Sequence, residues 1–327
     1  MKICMIGIGA MGSLYSALLA RSGAQIQCYD TWQAHIHAIQ NHGLRLSGIS
    51  GDFTIDVAAT TNVDDLVKSD LCIVQVNTHQ TEEAARIAAT VLDKEGYCLT
   101  LQNGVGNIEK LSDELGRERV LGGLSYHSAA MREPGHVAHT HAGPTWLGEL
   151  GGACTERLAT LESTLISAGF EPCIVDDIEG FIWGKFIHNC SINAICAATG
   201  IRVGEIPMYQ SADAFQTKII DEVMAVVKAK GITVPEDDPK AAIKKFCKVK
   251  FNRPSMLQHL QSGRQTEIAA LNGVVVDEGR KLGVPTPFNE ALTLMVRAMD
   301  ERNHAHAKGT PDFAALEHKL RSEISDN

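Results

Sequence analysis

The sequence predicts an α/β fold, a doubly wound parallel sheet followed by an all-helical C-terminal domain, and three observations predict it. A G-x-G-x-x-G stands between an apolar run of strand length and a segment with helical spacing. Strand-like and helix-like segments then alternate to about residue 177, and beyond that point strand patterns all but vanish. A chain of 327 residues, 44 % apolar, is long enough for two domains. We place them at 1–177, a Rossmann-type dinucleotide-binding domain, and 178–327, a helical substrate-binding domain.

Residues 1–6 form the first apolar run, and Gly7-Ile8-Gly9-Ala10-Met11-Gly12 follows at once. Gly7 suits the tight turn, Gly9 lets the backbone approach a pyrophosphate, and Gly12 lets the helix lie close on the strand. The helix opens through Ala10 and Met11, so its unpaired N–H groups and positive dipole end face the anion. The next strand, 24–30, ends on Asp30, eighteen residues beyond Gly12. A carboxylate there accepts from the ribose 2′-OH and repels a 2′-phosphate, which points to NAD as cofactor and leaves NADP open. The plainer alternative is that Asp30 only caps the next loop.

A helix over 31–43 and a hairpin of 44–46 with 53–57 come next. The run 70–76 is nearly continuous in apolar residues, as expected of a parallel strand buried on both faces. Asn77-Thr78-His79-Gln80-Thr81 follows it at the carboxyl edge of the sheet, where ligands bind, and opens a helix over 82–92. Strand 97–101 leads into Gln102-Asn103-Gly104, which places Asn103 to touch the nicotinamide end. Strand-like 120–128, short strands across 135–147, a helix over 156–168 and a strand over 170–176 complete the domain. His127, His136, His139 and His141 lack acidic or thiol partners at ligand spacing, and 139 and 141 fit one face of an exposed strand, so we expect no metal.

Helices are expected over 183–198, 211–230, 239–251, 266–282 and 289–303, broken by Gly231, Gly283 and Pro285. In the first, Lys185, Asn189 and Asn193 recur every four residues along one face, each offset by about 40° from the last. A lysine on an otherwise apolar helix is costly unless it has a partner, a cleft or a route to solvent. Ser255, after Pro254, reads as an N-cap. Glu267, read on the inside of an apolar helix, wants a cationic or hydroxyl partner, or is a solvated surface acid. The tail 304–327 is polar apart from 313–320, and either frays or packs on a partner chain.

The net charge of −9 and the absence of a basic stripe argue against nucleic acid. The apolar runs are too short for a membrane span, and the N-terminus has no charged leader before an apolar stretch. Nine cysteines, an odd number without C-x-x-C, read as free thiols of a cytoplasmic protein.

The ordered set Gln102-Asn103-Gly104, Trp183-x-Lys185 with Asn189 and Asn193, Ser255-Met256-Leu257-Gln258, and Thr266-Glu267-Ile268 with Asn272-Gly273 resembles the ketopantoate reductase (2-dehydropantoate 2-reductase) family, over the chain to about residue 303. The resemblance implies hydride transfer between nicotinamide and the C2 carbonyl of a small keto acid, or the hydroxyl of a hydroxy acid. It implies that Lys185 protonates the carbonyl oxygen and that Glu267 holds a substrate hydroxyl and supports the lysine. It further implies substrate contacts from Asn189, Asn193 and Asn252, a contact of Ser255 to the substrate carboxylate, and Asn103 near the nicotinamide. Two departures stand out. Asp30 and Asn77-Thr78-His79 occupy neighbourhoods where NADPH-using members carry basic residues, which supports NAD. The segment 199–205 lacks the Asn that usually precedes the matching Gly-Glu, which removes one substrate contact. An NAD preference keeps open a dehydrogenase of a different hydroxy acid, and a non-catalytic dinucleotide sensor is the rival of another class. A homodimer is left open.

Overall fold

The alternation of strands and helices becomes, in a computed structural model describing residues 1–307 and 309–325, two compact units, Met1–Trp183 and Gly184–Asn327. The division falls inside a helix, at 183/184, where the sequence placed it at 177/178. The first unit runs β1 (Lys2–Ile6), α1 (Ala10–Arg21), β2 (Gln25–Tyr29), α2 (Gln33–His42), β3 (Leu44–Gly48), β4 (Phe53–Ile55), β5 (Ala58–Thr60), β6 (Ser69–Val74), α3 (Thr81–Val91), β7 (Leu92–Thr100), α4 (Asn107–Leu115), β8 (Val120–Ser125), β9 (Ser128–Glu133), β10 (His136–His141), β11 (Thr145–Glu149), α5 (Glu156–Ser167) and β12 (Pro172–Ile174). Then α6 (Ile178–Thr199) begins in the first unit and continues into the second, which adds α7 (Gln210–Ala229), α8 (Pro239–Cys247), α9 (Ser255–Gln261), α10 (Asn272–Leu282), α11 (Pro287–Ala307) and α12 (Phe313–Ser325).

Eight strands form one sheet in the order β12-β11-β8-β7-β6-β1-β2-β5. From β8 to β5 all neighbours are parallel, whereas β11 pairs antiparallel with β8 and carries β12 with it, so the sheet is mixed at one edge. Side chains alternate across the pleat and divide the core. Ile3, Met5, Leu71, Ile73 and Leu99 pack on one face with Leu14 and Leu18 of α1 and Leu161 of α5. Cys4, Ile6, Cys72, Val74 and Cys98 pack on the other with Ala84, Ala88 and Val91 of α3 and Leu111 of α4. This two-sided burial is why β1, β6 and β7 read as near-continuous apolar runs.

The expected hairpin is β3–β4, and it belongs to a second sheet, β4-β3-β10-β9, that packs on α1. Here one expectation fails. His139 and His141 do not share a face: a register shift separates them in the β9–β10 pairing, and His139 is buried while His141 is exposed. An extra residue in a strand breaks the two-residue period on which the reading rested.

In the second unit the expected helix 266–282 is broken. A 3₁₀ turn, Ile268–Ala270, precedes α10, and Leu271 between them has φ −112° and ψ −102°. Thr266 spends its backbone N–H and hydroxyl on Asp300 of α11 rather than on a helix of its own. The buried Asn272 donates to the Cys190 carbonyl at 3.1 Å and to Asn289 Oδ1 at 2.9 Å, tying α10 to α6 and α11. Asn289 in turn donates to Glu222 of α7. Within the tail, α12 covers 313–325, and positions 308, 326 and 327 lie outside the described residues. All nine cysteines are free; burial pushes the thiols of Cys28 and Cys98 up to about 12. No described helix is long and apolar enough to cross a membrane.

Candidate active site and nucleotide loop

The loop between β1 and α1 shows why each glycine is needed. Gly7 has φ +92°, and a Cβ there would lie 2.7 Å from Val76 Cγ1. A Cβ on Gly12 would lie 2.0 Å from the Gly7 carbonyl oxygen, so α1 starts in backbone contact with the turn. Around Gly9 that atom would meet nothing within 4 Å. Gly9 is the N-cap of α1 and brings no side-chain bond to it, so the dipole end at Ala10 and Met11 faces open space rather than a capping group. These residues fit the pyrophosphate of a dinucleotide.

Asp30, just past β2, holds this loop from behind. Its Oδ2 accepts the Ile8 N–H at 2.8 Å, and its Oδ1 accepts the Trp32 N–H at 2.9 Å. A carboxylate has about four acceptor positions, so two backbone bonds leave it able to take ribose hydroxyls as well. Loop capping and ribose reading are therefore compatible roles.

At the same sheet edge, Asn77 is exposed and precedes the 3₁₀ turn Thr78–Gln80. Asn103 is also exposed, and its carbonyl accepts from Thr78 Oγ1 at 3.3 Å and Asn107 Nδ2 at 3.1 Å. Gln102, buried, donates to the Val76 carbonyl at 2.8 Å and to Thr81 Oγ1 at 2.9 Å. The loops after β6 and β7 are thus pinned together. The sequence reading gave Gln102 no role; its burial at a strand end was the missing signal.

On α6, Phe186, Ile187, Cys190, Ile192, Ala194 and Ile195 are buried, while Lys185, Asn189 and Asn193 are only partly covered. The face read from the four-residue spacing is the one left open. Burial brings the Lys185 ammonium down to about 8, against the opposing pull of the Glu267 carboxylate. Glu267 is raised above the usual carboxylate range by burial, opposed by Lys185. His188, one turn along from Gly184, is held down at about 4 by burial and by the Lys185 charge, with its ring edge-on to Phe246 at 4.4 Å.

Glu267 does not sit inside a helix. Its carbonyl starts the 3₁₀ turn by accepting from Ala270 and Leu271, and its half-buried side chain interacts with Lys185. Ser255 is the first residue of α9 and exposed, and the N-cap is Pro254. A proline there fixes the entry to the helix, so the serine falls one position late to cap it. Asn252 is exposed, and its carbonyl accepts the Val203 N–H at 3.3 Å. The structure therefore sets Glu267 within electrostatic reach of Lys185, leaves Asn189 and Asn193 partly exposed farther along the same side of α6, and puts Asn252 and Ser255 at exposed positions leading into α9.

Two of the histidines across 127–141 are bonded within the first unit: His127 Nδ1 and His139 Nε2 are 3.0 Å apart, and His139 Nδ1 meets Ser50 Oγ at 2.6 Å. Among the described residues no group of three or more His, Cys, Asp or Glu is placed to hold a metal ion.

A glycine turn fitted to a pyrophosphate, and a half-buried lysine opposed by a carboxylate, define a class: oxidoreductases that use a nicotinamide dinucleotide. Comparison with known proteins narrows it. Residues 3–152 match the family described as ketopantoate reductase PanE/ApbA, and 177–300 match its C-terminal part. The chain belongs to the ketopantoate reductase family, NAD(P)-dependent oxidoreductases acting on CH–OH groups. It is 30 % identical over 300 residues to the 2-dehydropantoate 2-reductase of Pyrococcus horikoshii, covering 92 % of this chain and 98 % of that one. It is 31 % identical to that of Archaeoglobus fulgidus, at 91 % and 98 % coverage. A PanE/ApbA family ketopantoate reductase from Ralstonia eutropha superposes with a TM-score of 0.85 at 31 % identity, over 93 % of this chain and all of the other. A D-mandelate dehydrogenase solved with NADH and anilino(oxo)acetate gives 0.83 at 25 % identity, over 93 % and 100 %.

Proposed function

We propose that the protein reduces the C2 carbonyl of a small 2-keto acid, 2-dehydropantoate or a close relative, with NADH. The observation that carries this reading is the half-buried Lys185 on the open face of α6, with Glu267 beside it. When bound, the dinucleotide would supply the hydride for the carbonyl carbon. As the C=O π pair moves onto oxygen, the Lys185 ammonium stabilises the charge and gives up a proton, leaving an alcohol and a neutral amine that solvent reprotonates. An ammonium brought near 8 by burial releases that proton more readily than one at the ordinary 10.5. Glu267 favours the charged lysine and accepts a substrate hydroxyl. Asn189, Asn193 and Asn252 supply amide contacts, and Ser255 holds the substrate carboxylate.

In the first unit, Gly7, Gly9, Ala10, Met11 and Gly12 hold the pyrophosphate, Asp30 the adenosine ribose, and Asn77 and Asn103 the nicotinamide side. Asp30 supports NAD over NADP because its carboxylate would face a 2′-phosphate. It also supports a second reading, oxidation of a different 2-hydroxy acid with NAD, in keeping with the NADH-bound mandelate dehydrogenase among the structural relatives. The chain acts in the cytoplasm, in keeping with its free thiols, and forms a homodimer; the exposed Phe288 and Met295, seven residues apart on one side of α11, support the latter.

The deciding experiment is a panel of 2-keto and 2-hydroxy acids, 2-dehydropantoate included, run with NADH and NADPH in parallel. Reduction of 2-dehydropantoate with higher kcat/KM for NADH is the expected result. A preference for NADPH would overturn the cofactor assignment. Turnover of a different hydroxy acid alone would select the second reading.

A further inference from the structure

Trp32 lies two residues beyond Asp30, as the N-cap of α2, and remains 41 % exposed. Its indole stacks on the His35 imidazole, with centroids 4.9 Å apart and planes inclined by 14°. One face is therefore covered, and the exposed surface lies on the opposite face and the rim.

His35 is fully buried and fixed from both sides. Its Nδ1 accepts the Gly135 N–H at 2.9 Å, so the ring proton sits on Nε2 and is donated to Ser13 Oγ at 3.1 Å. Ser13 passes its own proton to the Ile8 carbonyl at 2.9 Å. Ile8 and Trp32 also give their backbone N–H groups to the two oxygens of Asp30. One bonded circuit thus fixes the glycine loop, the ribose-reading carboxylate and the plane of the indole relative to one another. A flat aromatic surface, immobilised next to the group that reads a ribose, has the chemistry to recognise the base attached to that ribose. Every base presents a π face, and stacking needs no further donor or acceptor.

We propose that Trp32 is the stacking platform for the adenine ring of the dinucleotide, with His35 as the residue that holds the platform flat. The proposal rests on the dinucleotide reading above and adds a contact to it. AMP carries the adenosine half alone and is the probe.

The test is titration of the purified protein with AMP and with NADH, followed by intrinsic fluorescence and by calorimetry, for wild type, W32F and W32A. In wild type, AMP quenches tryptophan emission. W32A is expected to bind AMP roughly five- to a hundredfold more weakly, and to raise KM for NADH at little-changed kcat. W32F keeps an aromatic face: it recovers most of the affinity but loses most of the quench, although Trp146 and Trp183 still emit. His35→Ala, which leaves the indole unsupported, raises KM for NADH in the same way with kcat retained. AMP affinity in W32A within twofold of wild type would overturn the platform while leaving the dinucleotide reading intact. Equal losses in W32F and W32A would assign Trp32 to the fold alone. Failure of wild type to bind NADH at all would overturn both.

Discussion

In the mechanism proposed above Lys185 is the proton donor, and its protonation then sets a pH dependence with a definite sign. In the reducing direction the lysine must carry its proton, and burial has brought it to about 8. We therefore expect kcat/KM for reduction to be level below that pH and to fall tenfold per unit above it, with the reverse profile for oxidation. K185A should lower kcat by more than tenfold with NADH affinity retained; an unchanged rate, or a profile without a break between pH 7 and 9, would remove Lys185 as the acid. The spacing of Lys185, Asn189 and Asn193 already marked this face in the sequence. Glu267 was legible as an acid in need of a cation, but its setting was not: a 3₁₀ turn followed by a helix carries nearly the same apolar period as one helix. Ser255 was misplaced for a similar reason, since a Pro-Ser pair at a helix start looks the same whichever residue caps.

At the scale of elements, the β1–α1 junction separates two demands that the glycine motif runs together. Gly9 has φ −65° and open space where a side chain would begin, so G9A should fold with unchanged Tm and yet, if the phosphates pass there as proposed, bind NADH at least tenfold more weakly, because its methyl group would stand in their path. Gly12 is packed against the Gly7 carbonyl, so G12A must displace α1 and should cost about 1–3 kcal/mol of stability as well as affinity. Thermal melts and NADH titrations of the two variants check this, and a G9A protein that melts early would refute the separation. The strands β1, β6 and β7 were readable because two-sided burial leaves them apolar throughout. By contrast, the reversal of β11 and β12 and the shift at His139 were not, since strand direction and register depend on partners that no local pattern names.

For the whole molecule, buried histidines couple stability to acid. Burial is the leading cause that holds His35, His127, His139, His188 and His259 below the ordinary 6.5, His127 and His188 at about 4. Between those values the unfolded chain takes up protons that the folded chain refuses, so folding stability is kept above pH 6.5 and lost as pH falls toward 4. Tm should decline through that window, and H127N should flatten the decline if it folds; a Tm constant from pH 7 to 5 would contradict the assignment. The sequence showed thirteen histidines but not which of them the core would enclose.

The distribution of sulfur across the fold turns the native chain into its own reporter. Cys154 and Cys173 are exposed, whereas Cys4, Cys28, Cys72 and Cys98 of the first unit and Cys190, Cys196 and Cys247 of the second are buried. A brief pulse of a thiol-reactive maleimide should mark two positions on the folded protein and all nine once it opens. Mass spectrometry of the marked peptides, taken along a urea gradient, then resolves whether the sheet-containing unit or the helical unit gives way first, without introducing a single substitution.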